Sequence, residues 1–290
     1  MFSAKHIDRT TINYGGIKIN KDFKIHKNGE LVYFTIPSFD KTEMVKHCFT
    51  TRQGGISRGI YYSLNTSLTK NDEREHVLVN LNRVCSVIGI DYKNLVFSNQ
   101  VHGDEIRVVI EADKGKGITR ESDIVNIDAL ITNVVGIPMI TYYADCVPVF
   151  ILDPIKKAVG LVHSGWKGTT QKIAVKTIEK MRQTYGTRPQ DCLIGIGPSI
   201  EMQCFEIKED TALLFKKSFS NRKAFMKQKD EEHYIVDLWL SVKLMLIELG
   251  VLEENISISG FCTCCNEDLF FSHRRDKGNT GSLSAIIELR

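Results

Sequence analysis

The period of the apolar positions changes along this chain, and the change predicts where helices and strands lie. Three segments repeat apolar residues at i, i+4, i+7 and i+11, the stripe of an amphipathic helix. They are Val77, Leu81, Val84 and Ile88; Ala174, Ile178, Met181 and Tyr185; and Leu238, Val242, Met245 and Leu249. Each is bounded by stop signals. These are a cap at Asn71 or Asp72 for the first, Thr169 or Thr170 and Gly186 for the second, and Asp237 and Gly250 for the third. A shorter helix is expected near 209–217. Runs rich in β-branched and aromatic residues predict strands at 31–36, 45–50, 95–98, 106–110, 129–132, 139–143, 147–152, 158–162, 193–196, 256–259, 269–271 and 285–288.

The runs at 147–152 and 158–162 are almost continuously apolar, which predicts burial on both faces. The turn Asp153-Pro154 between them predicts a hairpin. Residues 1–30 are polar and weakly periodic, with turn signals at Tyr14-Gly15-Gly16 and Asn28-Gly29. They read as a peripheral segment with a small edge hairpin. Neither an internal repeat nor a linker divides the chain. The expectation is an α+β fold, a mixed β-sheet core covered by helices, in one domain over 1–290.

Composition narrows the function classes. Over 290 residues, 42% hydrophobic and 25% charged content is ordinary for a globular protein. A net charge of +3 on 38 basic and 35 acidic residues argues against a nucleic-acid partner. The first residues have no apolar core of a signal peptide, and no apolar run approaches the ~20 residues of a membrane span. The expected location is the cytoplasm, without a membrane partner. There the eight cysteines would be reduced thiols.

Three segments then carry the chemistry: Gln100-Val101-His102-Gly103, Ala144-Asp145-Cys146-Val147-Pro148 and His163-Ser164-Gly165-Trp166-Lys167-Gly168. Each sets one soft donor beside a Gly or Pro, where a predicted strand runs out into a loop. Two imidazoles and a thiolate suit zinc or copper. Three protein ligands leave a fourth position open, as in a catalytic zinc site that activates water. Asp145 is the expected general base or hydrogen-bond acceptor beside this set. The same atoms allow another reading, with Cys146 as nucleophile and His163 or His102 as its base. The Gly-Gly loop of Thr51-Arg52-Gln53-Gly54-Gly55 offers an anion contact at Arg52. Cys262-Thr263-Cys264-Cys265 looks like half of a structural zinc site, but the chain has no matching CxxC, so these read as ordinary thiols.

In this order, the segments resemble the YfiH family, the laccase-domain polyphenol oxidase and purine nucleoside phosphorylase proteins. The resemblance runs from about Phe49 to Leu289. It is carried by Thr51-Arg52-Gln53-Gly54-Gly55-Ile56-Ser57, Ser63-Leu64-Asn65, the three segments above, Asp128-Ala129-Leu130, Gly195-Ile196-Gly197-Pro198, Cys262-Thr263 and Phe271-Ser272-His273-Arg274-Arg275. It implies zinc at His102, Cys146 and His163, with copper as the alternative metal of older assignments. Asp145 and Cys146 are the expected catalytic residues, and Arg52, Asn65 and Arg274 the expected substrate or phosphate contacts. The implied partners are purine nucleosides and phosphate. The implied reactions are phosphorolysis of adenosine, inosine, guanosine and methylthioadenosine, and hydrolytic deamination of adenosine. Amide hydrolysis on a cell-wall precursor and copper-dependent polyphenol oxidation are the alternatives. Lys167 departs from the family's usual Arg, Ser199 from its Cys, His273 from its Tyr, and Gly281-Ser282-Leu283 from its Gly-Arg pattern. None of these is a metal position.

Overall fold

The computed structural model describes residues 11–14, 17–20 and 22–290. The strands, in chain order, are β1 (Thr11–Tyr14), β2 (Ile17–Asn20), β3 (Lys24–Asn28), β4 (Leu31–Thr35), β5 (Val45–Thr50), β6 (Val96–Phe97), β7 (Ile106–Val108), β8 (Ala129–Thr132) and β9 (Met139–Tyr143). They continue with β10 (Val147–Asp153), β11 (Ala158–Ser164), β12 (Leu193–Ile196), β13 (Glu206–Lys208), β14 (Met226–Gln228), β15 (His233–Val236), β16 (Ile256–Ile258) and β17 (Leu283–Leu289). The helices are α1 (Pro37–Asp40), α2 (Arg74–Ile88), α3 (Trp166–Thr170), α4 (Ile173–Tyr185), α5 (Glu209–Ser218) and α6 (Leu238–Leu249).

The expected mixed core is two sheets. One has the order β16-β12-β10-β11-β8-β7, the other β3-β4-β5-β17-β9-β6. Most pairs are antiparallel; β12–β16, β7–β8 and β6–β9 are parallel. Alternation within strands assigns the layers. On β10, Val147, Val149 and Ile151 belong to a cluster with Ala174, Ile178 and Met181 of α4 and Val242 and Met245 of α6. Phe150 and Leu152 belong instead with Phe49, Ala285 and Ile287 of the second sheet. On that sheet's other face, Cys48, Ile140 and Ile286 pack against Val77, Leu81 and Val84 of α2. The result is four layers: helices, sheet, sheet, helix. It explains the continuous apolar runs of β10 and β11, since both faces of each are covered.

The predicted 147–162 hairpin forms, with Phe150 opposite Leu161. Asp237 caps α6 by accepting from the Leu240 N–H, and Gly250 ends it at φ +105. Asn28-Gly29 turns the β3–β4 hairpin, and β1 pairs with β2; Gly15 and Gly16 lie outside the described residues.

Three expectations are corrected. The N-cap of α2 is Glu73, because Asp72 spends its carboxylate on Ser57, Asn65 and the Glu73 N–H. The N-cap of α4 is Lys172, held at φ +62, because Thr169 and Thr170 belong to the separate short helix α3. Residues 269–271 form no strand. Leu269 and Phe270 turn back with their N–H groups on the Asn266 carbonyl, and Phe270 and Phe271 are apolar because they fill the core. The small sheet β13-β15-β14 was not expected: β13 precedes α5, β14 and β15 follow it, and strands of three or four residues are too short to show a period.

Candidate active site

The chain crosses between the two sheets at β6–β7 and again at β9–β10, and both crossings meet the end of β11. His102 lies on the first crossing, Cys146 on the second, and His163 in β11 itself, opposite Pro148. Their donor atoms lie within 4.8 Å of one another. The imidazole rings of His102 and His163 are 4.9 Å apart, nearly edge to face. Two residues here hold left-handed backbone, His102 at φ +61 and Asp145 at φ +92, an arrangement costly for side chains other than Gly and common at functional sites. Gly165 is required by space. A Cβ there would stand 2.8 Å from His102 Cδ2 and 3.0 Å from Cys146 Sγ.

Asp128, fully buried just before β8, organises the group. Its Oδ1 stands 2.7 Å from His163 Nδ1 and accepts from the His102 N–H. Its Oδ2 accepts from the Val101 and Gly103 N–H groups. Burial works to raise this carboxyl, but His163 and these backbone donors outweigh it and hold it below its ordinary value. With Nδ1 committed to Asp128, His163 offers Nε2 to the site, the arrangement that fixes a metal-binding imidazole. Burial works against the Cys146 thiolate, yet the His163 charge and hydrogen bonds from both histidines bring the thiol down to about 6. Burial likewise opposes the His163 cation, and Cys146 and Asp128 raise it to about 9. A thiolate and two oriented imidazoles are the donor chemistry that a zinc or copper ion takes.

A cleft of about 650 Å³ opens on this group. That volume belongs to the range of small-molecule sites. Asp145, Cys146 and Arg274 lie in its wall; Arg52 and Asn65 do not. Arg52 directs its guanidinium to the backbone carbonyls of Tyr62 and Glu267 and stacks 4.7 Å from the Phe271 ring. Asn65 is fully buried, donating to Asp72 and accepting from the Ser67 and Ser282 N–H groups. Both tie loops together behind the wall. Asp145 accepts from Thr263 Oγ1, Ser272 Oγ and the Arg274 N–H. Its carboxylate pins the 263 and 272–274 segments.

The family profile described as multi-copper polyphenol oxidoreductase laccase matches residues 46–290. The chain belongs to the YfiH family. It is 32% identical over 243 residues to the purine nucleoside phosphorylase YlmD of Bacillus subtilis (strain 168), covering 83% of this chain and 87% of that one. It is 32% identical to mouse LACC1, also named a purine nucleoside phosphorylase, over 90% of this chain and 59% of that protein. The crystal structure of YlmD from Geobacillus stearothermophilus superposes with a TM-score of 0.87 at 30% identity, covering 93% of this chain and 99% of that one. That of Bacillus licheniformis YfiH gives 0.86 at 30% identity, over 92% and 99%.

Two residues of this YfiH-family chain were missed as site residues. Asp128 appeared only within a motif, because nothing local marks a carboxylate that will meet a histidine 35 residues on. Lys70 sits in a polar loop, Thr69-Lys70-Asn71-Asp72, that reads as solvated surface, yet it lines the cleft. Burial lowers its pKa, and among the described residues no carboxylate stands within ion-pair distance of it.

Proposed function

We propose that this chain is a zinc-dependent purine nucleoside enzyme. It cleaves adenosine, inosine, guanosine and methylthioadenosine with phosphate to base and ribose 1-phosphate, and it deaminates adenosine to inosine. The observation that carries the reading is the convergence of His102, Cys146 and His163, backed by Asp128, on a cleft of nucleoside size. The names of the relatives YlmD and LACC1 support the same substrate class. We read the chain as one domain over 1–290, acting in the cytoplasm with no disulfide among its eight cysteines; the segment expected to be peripheral instead gives Phe23 to the core and β3 to the second sheet.

His102, Cys146 and His163 would hold the metal. When bound, zinc supplies Lewis acidity and lowers the pKa of a coordinated water. Asp128 keeps the His163 ring turned and its Nδ1 proton in place. Lys70 and Arg274 supply positive charge for phosphate, whose oxygen forms the new bond to C1′ as the glycosidic bond breaks and the base leaves. Trp166 and Phe205 offer aromatic wall to the base. Asp145 acts as a positioning residue for the Arg274 segment. Arg52 and Asn65 act at one remove, by holding the loops behind the wall.

The test is product analysis of adenosine with purified, metal-quantified protein, with and without phosphate. Inosine without phosphate, and adenine or hypoxanthine only with it, are the expected products. No turnover by protein carrying stoichiometric zinc overturns the reading. One observation favours a second reading. Cys146, His163 and Asp128 are also ordered as nucleophile, base and orienting carboxylate. A Cys146 amidase would keep its rate in chelator and lose it to a thiol alkylating agent.

A further inference from the structure

On the far side of the Arg274 wall lies a second group of donors, Glu201, Cys204, Cys262 and Cys265, whose ligand atoms also lie within 4.8 Å of one another. They come from two loops, each giving a pair three residues apart. Glu201 and Cys204 bracket the 3₁₀ turn Met202–Cys204, and Cys262 and Cys265 bracket a turn after β16. The loops are joined by a bridge between Ser199 and Cys262, where the Ser199 N–H donates to Phe261 O and the Thr263 N–H to Ser199 O. Cys204 Sγ lies 3.3 Å from Cys265 Sγ, and Cys265 Sγ lies 3.2 Å from Glu201 Oε1. The Glu201 N–H points at Cys262 Sγ from 3.5 Å.

We propose that Glu201, Cys204, Cys262 and Cys265 form a second, structural zinc site in this chain. Three sulfurs and one carboxylate oxygen fill a tetrahedron, leaving no position for substrate. With zinc–sulfur bonds of about 2.3 Å, the sulfurs of such a tetrahedron stand roughly 3.8 Å apart, and the donors here, 3.3 Å apart at Cys204 and Cys265 and all within 4.8 Å, reach that spacing by shifts of about 1 Å or less. The Glu201 N–H is the kind of backbone donor that steadies a metal-bound thiolate. Cys265 is exposed and Cys262 buried, so an ion has a path in and a dry side to sit against. Zinc binds cysteines as thiolates, so protons from the thiols would leave to solvent as the ion binds. The partner of the Cys262–Cys265 half-motif is thus Glu201 with Cys204. The site would fix the cleft wall, since Arg274 donates to Cys204 O and Glu206 O, and Arg275 to Thr263 O and Cys264 O.

The test counts and locates zinc in the full-length chain. Anomalous diffraction at the zinc edge is expected to give a peak among Glu201, Cys204, Cys262 and Cys265, apart from any peak at His102, Cys146 and His163. Elemental analysis is expected to fall by about one zinc per chain in Cys265→Ser and by a further one in Cys265→Ser with His163→Ala. A map with no peak at the cysteines overturns the proposal, as does a metal content that Cys265→Ser leaves unchanged. So does a Cys204–Cys265 disulfide, read as two missing thiols and a mass lower by two hydrogens. The position of each peak separates this proposal from the purine reading, and the native map decides it even where a variant fails to fold.

Discussion

The two donor clusters differ in what holds them and in what they leave open. His163 is fixed in the middle of a six-stranded sheet, with Asp128 bonded to its ring and to three backbone N–H groups around His102. Its cluster has three donors and faces a cleft. The cysteine cluster stands on two loops and has four donors, none of which lines the cleft. Rigid support with an open position suits turnover, where a ligand must come and go from fixed geometry. Full coordination suits attachment, where the ion replaces the packing that two polar loops cannot provide.

Removing a donor from the first cluster should break this contrast most. His163→Ala is expected to abolish metal at the cleft and cut purine turnover by more than about 100-fold, the upper end for residues that only support ligands. The metal at the cysteines should remain, as elemental analysis will report. Asp128→Asn keeps the ligands and loses the charge behind them; a drop of roughly 10- to 100-fold in metal affinity or turnover is expected, read by chelator competition. Lys70→Ala should raise the KM for phosphate by about 10-fold, the worth of one charge-assisted contact of ~1.4 kcal/mol, and leave deamination untouched. Smallest is Arg52→Ala. With its guanidinium on the Tyr62 and Glu267 carbonyls, it should lower stability by about 1 kcal/mol in urea unfolding and leave the phosphate KM unchanged.

The same contrast explains what the sequence could reveal. The hairpin β10–β11 and the helix α6 were legible because burial dictates composition there: two covered faces need unbroken apolar runs, and a helix end needs its Asp237 and Gly250. His102, Cys146 and His163 stood out as reactive types beside Gly or Pro at strand ends. What support they receive did not, since Asp128 and Lys70 acquire their roles only when distant segments meet. Arg52 misled for the same reason: a guanidinium beside Gly-Gly suits an anion, but folding offers it carbonyls first. The cap at Lys172 was not legible, because a lysine in left-handed backbone has no Gly or Asn to announce it. The 269–271 run misled because buried aromatic rings make the same pattern in a loop as in a strand. Cys262-x-x-Cys265 lacked a partner in sequence because its mates, Glu201 and Cys204, come from before α5 and are not a cysteine pair.

Strand β17 lies between β5 and β9, so the second sheet cannot close until the last strand in chain order arrives. The Ser284 N–H donates to Thr50 Oγ1 across 234 residues of chain. During synthesis from the N-terminus, β5 and β9 therefore emerge long before the strand that joins them, each with a bare hydrogen-bonding edge. Such edges invite pairing with other chains. Folding to the working form waits for the C-terminal strand, and long-range pairing of this kind is slow. Trimming β17 would split the second sheet down its middle instead of fraying its edge.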